Sequence, residues 1–310
     1  MSANVTNAGG SSEGPGVGTG SGVRTGLPAT GGEIRAIHPR VVGVLRGAIA
    51  SARLEVRAYF RTVDTVFFTF LFPVLLLAIF GTAFSAQGDV GVRPDGTGGI
   101  TMAHYYLPGM VAAAILLSGL QNLAVDIARE KSEGWLKRLG GTPISPVSYF
   151  LGKVGMLGGT TILQVGLLFI FAALVLGVPL PTEPGLWLRF AWVFLLGIVT
   201  MALLGVALSA LPRSSRSATA VVLPITLILQ FISGVYLTFS MLPEWLQNIA
   251  ALFPLKWLAQ GMRSVFLPEH FAEAEQGGTW DLGLVALNLG VWLIVGLVVS
   301  LSTFRWTRRS

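Results

Sequence analysis

Apolar residues gather into six runs, at about 65–84, 105–125, 154–176, 190–211, 218–242 and 282–304. Each is roughly 20 residues or longer, and at about 1.5 Å per residue each can cross about 30 Å of hydrocarbon as a helix. Charged residues collect between the runs. Pro73 and Pro224 fall inside two of them, where helices in lipid tolerate kinks. The pattern predicts an all-α integral membrane fold with six transmembrane helices.

Two shorter segments have another character. Over 38–62, Arg46, Arg53, Arg57 and Arg61 share one stripe at helical spacing, beside an apolar stripe of Val42, Leu45, Ile49, Val56 and Phe60. That is the pattern of an N-terminal amphipathic helix lying in the membrane interface, its arginines reaching anionic headgroups. Between the fifth and sixth runs, 243–280 is rich in Leu, Phe and Trp but is interrupted by Pro254. Short re-entrant or interfacial helices are expected there. Residues 1–36, rich in Gly, Ser, Thr and Asn, cannot bury enough apolar surface to fold. They form an expected disordered tail ahead of a single domain over 37–310. The tail has no apolar run behind a basic start, so it does not read as a cleavable signal peptide.

Composition agrees with lipid as the solvent. Of 310 residues, 53% are hydrophobic and 12% charged, against about 25% charged in ordinary soluble domains; mean hydropathy is +0.70. There are no cysteines, so disulfides, thiol catalysis and thiolate metal sites are excluded. The net charge of +6 acquires meaning from its placement. With six spans and the N-terminus inside, 17 of the 21 Lys and Arg residues fall in cytoplasmic segments, and only Arg93, Arg189, Lys256 and Arg263 fall outside. This is the positive-inside bias of a plasma-membrane protein with both termini cytoplasmic, and not a nucleic-acid surface. Trp187, Trp192, Trp245, Trp257 and Trp280 mark the outer interface; Trp135 and Trp306 mark the inner one.

The chain carries no Gly-x-x-x-x-Gly-Lys-Ser/Thr phosphate loop; Gly152-Lys153 is followed by Val154 and lacks the upstream glycine. It is therefore not expected to hydrolyse ATP. Asp64, Asp126, Lys153 and Arg189 sit at span ends, whereas ion-coupled carriers place ionisable groups inside the bundle. His38, His104 and His270 are scattered, so neither a metal site nor an acid–base enzyme is supported. Gln121, Gln164 and Gln230 are candidates for a substrate path, or alternatively for hydrogen bonds between helices. Gly155, Gly158 and Gly159 read as a close-packing stretch.

The cytoplasmic loop after the second run carries the most information. It reads Asp126-Ile-Ala-Arg129-Glu130-Lys-Ser-Glu133-Gly134-Trp135-Leu136-Lys-Arg-Leu139-Gly-Gly-Thr142-Pro143-Ile-Ser145. Helical spacing places Trp135, Leu136 and Leu139 on one face with Lys131, Lys137 and Arg138 around it. Thr142-Pro143 ends the helix. A short apolar face with basic edges suits a groove in another protein, or alternatively the headgroup layer.

This loop, from Arg129-Glu130 through Gly134, Leu136, Leu139, Thr142-Pro143 and Ser145, resembles that of ABC-2 type transporter permeases. So do Leu223-Pro224, Ile232-Ser233-Gly234-Val235-Tyr236, Met241-Leu242-Pro243-Glu244-Trp245-Leu246, Pro254-Leu255 and Arg263. The likeness covers about 38–308, and Trp135 stands where such proteins often have a small polar residue. The resemblance implies a permease half that pairs with a second half and with two copies of an ATP-binding cassette subunit. That partner would bind ATP and Mg, and this chain would bind no cofactor. Residues 134–142 would form the coupling helix entering the ATPase, with 38–62 also touching it. Length, and the absence of a large extracellular domain, look most like daunorubicin-resistance-type drug exporters of the bacterial plasma membrane. Exporters of lipids or polysaccharides share the topology. A self-sufficient carrier or channel is the reading from another class.

Overall fold

The computed structural model describes residues 63–93, 95–135, 146–212 and 214–303, with Val56, Arg61 and Arg138. Contacts divide the chain into Met1–His38 and Pro39–Ser310, and every described residue belongs to the second unit. The expected tail lies outside the described residues. So does the expected amphipathic helix, including Arg46, Arg53 and Arg57; of its positions only helical Val56 and exposed Arg61 are described.

Regular structure among the described residues is helical, with one isolated antiparallel bridge, Val90–Ile100, in place of any strand. The helices are α1 (Val63–Ala83), α2 (Met102–Ser132), α3 (Pro146–Leu174), α4 (Pro184–Leu208), α5 (Ser215–Ile232), α6 (Glu244–Ala250), α7 (Pro254–Phe266) and α8 (Leu282–Thr303). By length and composition α2, α3, α4 and α8 can each cross a membrane. Two shorter apolar helical stretches, Thr69–Ala83 in α1 and Arg216–Ile232 in α5, accompany them.

Local chemistry sets the ends. Thr101 accepts the His104 N–H to start α2, and Gly134, at φ 74°, lies just past its C-terminus. Pro184 and Pro254 open α4 and α7, where a missing N–H costs nothing. Ser214 and Ser217 form a reciprocal capping box for α5. That helix ends at Ile232, ten residues short of the apolar run that predicted it. Gly234 takes φ 74° there and turns the chain toward a 3₁₀ turn at Phe239–Met241.

Helix α2 is the centre of the bundle, packed against α1, α3, α4, α5 and α7. Its most apolar stretch is 72% buried, against 17% for α8. Helix α8 shows why so peripheral a helix is stable. Leu284, Leu287, Val291, Ile294, Val298 and Leu301 are exposed at alternating steps of three and four, while Val285, Leu289, Gly296 and Ser300 face inward. An open aliphatic stripe of that length belongs against lipid tails and not water.

Among the described glycines, the tightest backbone approach between helices uses ones other than Gly158 and Gly159. A Cβ on Gly205 of α4 would stand 2.3 Å from the Gly119 carbonyl oxygen of α2, whereas one on Gly158 or Gly159 would meet nothing within 4 Å. The tryptophans expected at the outer interface divide by burial. Trp257 and Trp280 are buried, their N–H groups donating to the Ala251 carbonyl and Glu269, while Trp245 is 64% exposed.

Candidate functional site

At the Gly119–Gly205 contact α2 widens into a π-helical segment, Leu117–Asn122. Such a turn accommodates an extra residue and changes where its side chains point. Here it directs Gln121 and Asn122 into a cavity of about 270 Å³ between α1, α2 and α5. Thr69, Phe72, Leu117, Leu223, Thr226, Leu227, Gln230 and Tyr236 complete the lining. The lining carries amides, hydroxyls and apolar side chains, and no ionisable group other than the Tyr236 phenol.

Most of these polar groups are held. The Thr226 hydroxyl donates to Gln121 Oε1 at 2.7 Å. Gln230 Nε2 donates to the Thr226 carbonyl at 3.1 Å, and the Tyr236 hydroxyl donates to Gln230 Oε1. The Asn122 amide makes no hydrogen bond among the described residues and faces the same space. It is the functional candidate that sequence reading missed, since its spacing does not distinguish it from Gln121. Such a lining can hold a neutral ligand with hydrogen-bonding groups and apolar surface.

Of the three glutamines, Gln121 and Gln230 reach the cavity and Gln164 does not. Gln164, 1% exposed, has a structural task set by Pro73. Proline lacks the N–H that would bond the carbonyl four residues earlier, which is that of Thr69. Gln164 Nε2 donates to that carbonyl from α3 at 2.7 Å, and its Oε1 accepts the Ser118 hydroxyl at 3.1 Å. The amide repairs the proline gap and ties α1, α2 and α3 together.

At the other end of α2, Arg129 and Glu133 form an exposed pair at 3.8 Å. Glu130 turns inward, accepting the Tyr149 hydroxyl and Lys153 Nζ, the latter at 2.5 Å. Lys153, near the start of α3, is thus a span-end charge buried within the protein, 2% exposed. After Gly134 the chain resumes a helical bond, Arg138 N–H to the Gly134 carbonyl at 3.2 Å, and Trp135 stands 53% exposed. Leu136, Leu139, Thr142 and Pro143 of the expected docking face lie outside the described residues.

The sequence pattern described as ABC-2 family transporter protein matches residues 95–304, from the loop after α1 to the end of α8. The chain belongs to the ABC-2 transporter family. It is 26% identical over 236 residues to a protein of Cyanophora paradoxa named as a transport permease, ycf38, covering 75% of this chain and 77% of that one. It is 24% identical over 152 residues to YvfS of Bacillus subtilis, also named as a transport permease, covering 48% and 60% of the two chains. The ycf38 of Porphyra purpurea matches at 26% over 195 residues, covering 63% and 65%. The family, together with the spanning helices, makes this a multi-pass membrane transport permease. Among the described residues no group of three or more His, Asp or Glu side chains is placed to hold a metal.

In this ABC-2 permease the segment between α5 and α8 forms two short helices, of which α7 is buried along its whole length. Its polar residues are each met. Arg263 makes a two-pronged pair with Glu275, Nη2 to Oε2 at 3.0 Å, and donates to the Gly234 carbonyl at 3.2 Å. Arg189 of α4 donates to the Ser264 carbonyl at 2.8 Å, and His104 of α2 donates from Nε2 to the Phe266 carbonyl at 2.7 Å. Among the described residues Lys256 meets the Gln260 amide oxygen and the rings of Trp257 and Phe239, at 3.8 and 5.2 Å from the ring centroids. Burial pushes its ammonium down to about 8 from an ordinary value of 10.5. The Arg263 charge acts in the same direction, and Glu275 and Asp281 oppose it.

Proposed function

We propose that this permease is the membrane half of an ATP-driven exporter whose cargo is a neutral or amphiphilic, largely apolar compound of the drug or antibiotic kind. The cavity beside the π turn is the observation that carries the reading: about 270 Å³, lined by amides, hydroxyls and aliphatic groups, with the Asn122 amide making no hydrogen bond among the described residues. In this reading α1 and α5 are also spans, giving six, and both termini lie in the cytoplasm of a bacterial cell. Helices α6 and α7 then sit at the outer face as a re-entrant pair. The basic helix over 38–62 lies in the inner interface. Two permease halves assemble with two cassette ATPases, which bind ATP and Mg. Residues 134–142 enter a groove in each ATPase, and Trp135 is already exposed at the start of that stretch.

The test is purification of the chain with a candidate cassette ATPase from the same genome, followed by reconstitution into liposomes. Leu136→Asp with Leu139→Asp is expected to abolish association and ATP-dependent cargo movement. Asn122→Ala and Gln230→Ala are expected to raise the cargo KM while leaving the association intact. Transport by the purified chain alone without ATP would replace this reading with that of a self-sufficient carrier. Activity confined to a lipid or polysaccharide would replace the cargo class only.

A further inference from the structure

Glu130 lies twelve residues from Ser118 on α2, and Lys153 lies eleven residues from Gln164 on α3. These positions form two cross-ties between antiparallel helices. At the loop end, Glu130 accepts from Lys153 Nζ at 2.5 Å and from the Tyr149 hydroxyl. Further into the bundle, Gln164 accepts from Ser118 at 3.1 Å and donates to the Thr69 carbonyl at 2.7 Å. Thr69 is also part of the cavity wall. Lys153 is 2% exposed and Glu130 20% exposed, so the loop-end tie is a short ion pair held largely out of water, where charge pairing is strongest.

We propose that α2 and α3 form one rigid lever, pinned at its loop end by Glu130 with Lys153 and Tyr149, and that Glu130 is a positioning residue for transport. Motion applied to the 133–145 loop passes through the pinned pair to Gln164. There the proline-opened Thr69 carbonyl carries it into α1 and the cavity wall. Without the pin, the loop end of α2 moves independently of α3, and force applied at the loop is lost before it reaches the cavity. The lever rests on the reading that a partner ATPase docks at this loop.

The test uses the full complex, with partner association, ATP hydrolysis and cargo transport measured on the same preparations. Glu130→Gln and Tyr149→Phe keep side-chain shape. Glu130→Gln is expected to leave the ATPase bound and hydrolysing while cargo moved per ATP falls about tenfold, the scale of a coupling between two sites. Tyr149→Phe is expected to give a smaller fall. Exchanging the charges, Glu130→Lys with Lys153→Glu, is expected to recover part of the ratio. An unchanged cargo-to-ATP ratio in Glu130→Gln overturns the lever, and so does a loss of transport that merely follows the amount of folded complex. Because the chain has no cysteine, Ser132→Cys and Leu151→Cys, both exposed, can carry a unique pair of spin labels in the permease without its partner. A narrow distance distribution that broadens on adding Glu130→Gln supports the pin, and no broadening overturns it. If no ATPase associates with the unaltered chain, the docking reading fails while this distance measurement still decides whether the helices are pinned.

Discussion

Substituting Gly205 by alanine tests the packing at the centre of the bundle. The new Cβ would stand 2.3 Å from the Gly119 carbonyl oxygen, 3.1 Å from the Leu120 carbonyl oxygen and 3.2 Å from Leu120 Cα. The shortest of these falls about 1 Å below the 3.4 Å at which ordinary contact begins. All three obstacles are backbone, so no side-chain rotation relieves them; α4 must retreat from α2. Overpacking costs about 1–3 kcal/mol, and a rigid obstacle places this case near 3 kcal/mol. The helix propensity of alanine returns up to about 1 kcal/mol, leaving a net loss of about 2 kcal/mol. At about 2–4 °C per kcal/mol for a unit of this size, Gly205→Ala should unfold about 4–8 °C below the parent in detergent, followed by tryptophan fluorescence. Gly166→Ala is the control. Its Cβ meets nothing within 4 Å, so only the propensity gain acts and its midpoint should hold or rise. Equal midpoints for the two variants would refute the claim that Gly119 and Gly205 exist to let these backbones touch.

Replacing Gln164 by leucine orphans the Thr69 carbonyl and should cost about 1–3 kcal/mol. In a Pro73→Ala background the restored N–H reclaims that carbonyl, so the same substitution should cost clearly less, and thermal unfolding of the four-member cycle measures the difference. Glu275→Gln leaves Arg263 buried with its charge unpaired, for a loss of about 3–5 kcal/mol, whereas Arg263→Met with Glu275→Leu should lose less than the single change; unfolding midpoints decide this too. Lys256 gives a pH signature. Above about 8 the folded chain releases this proton, whereas the unfolded chain holds it to about 10.5. The unfolded state therefore binds more protons in that window, and stability rises with pH from 8 to 10.5. The rise should be absent from Lys256→Met measured against the parent over the same range, and an identical pH profile in both proteins would contradict it.

The helices beneath the apolar runs were legible because hydrocarbon imposes a length and a composition that few other constraints imitate. Predicted starts and ends of α1 and α8 fall within two residues of those observed. The end of α5 was not legible. Its apolar run continues to 242, and only the left-handed Gly234 stops the helix at Ile232. Glycine pairs were also opaque. Adjacent Gly158 and Gly159 look like a packing motif, yet the contact is made by single glycines, Gly119 and Gly205, far apart in sequence. Which small residue meets which helix is decided by the crossing of α2 and α4, and no spacing along one helix reveals it. Lys256 and Arg263, counted in the sequence as outer-loop charges, proved buried because α7 packs among α2, α4 and α8; Gln260 on α7 itself meets Lys256, and Glu275 beyond it meets Arg263.

The glutamines show how far the chemistry of the chain constrains its own packing. All three looked alike as polar residues in apolar runs. What separates them is the rule that lipid-embedded backbone must satisfy itself. Pro73 removes one N–H, and the helical bond pattern alone makes the orphaned carbonyl that of Thr69. A donor must then exist near that depth on a neighbouring helix, and Gln164, near the middle of the next-but-one run, is the right type at a suitable level. Gln164 thereby makes the hydrogen bond between helices that was its alternative reading. Gln121 and Gln230, with no such gap to fill, remain with Asn122 around the cavity. The same logic extends to Glu130 and Lys153. Lys153 is a base buried in an apolar stretch of α3, and Glu130, 20% exposed at the loop end of α2, supplies it with an acid; that pair links the two helices that any force on the loop must cross.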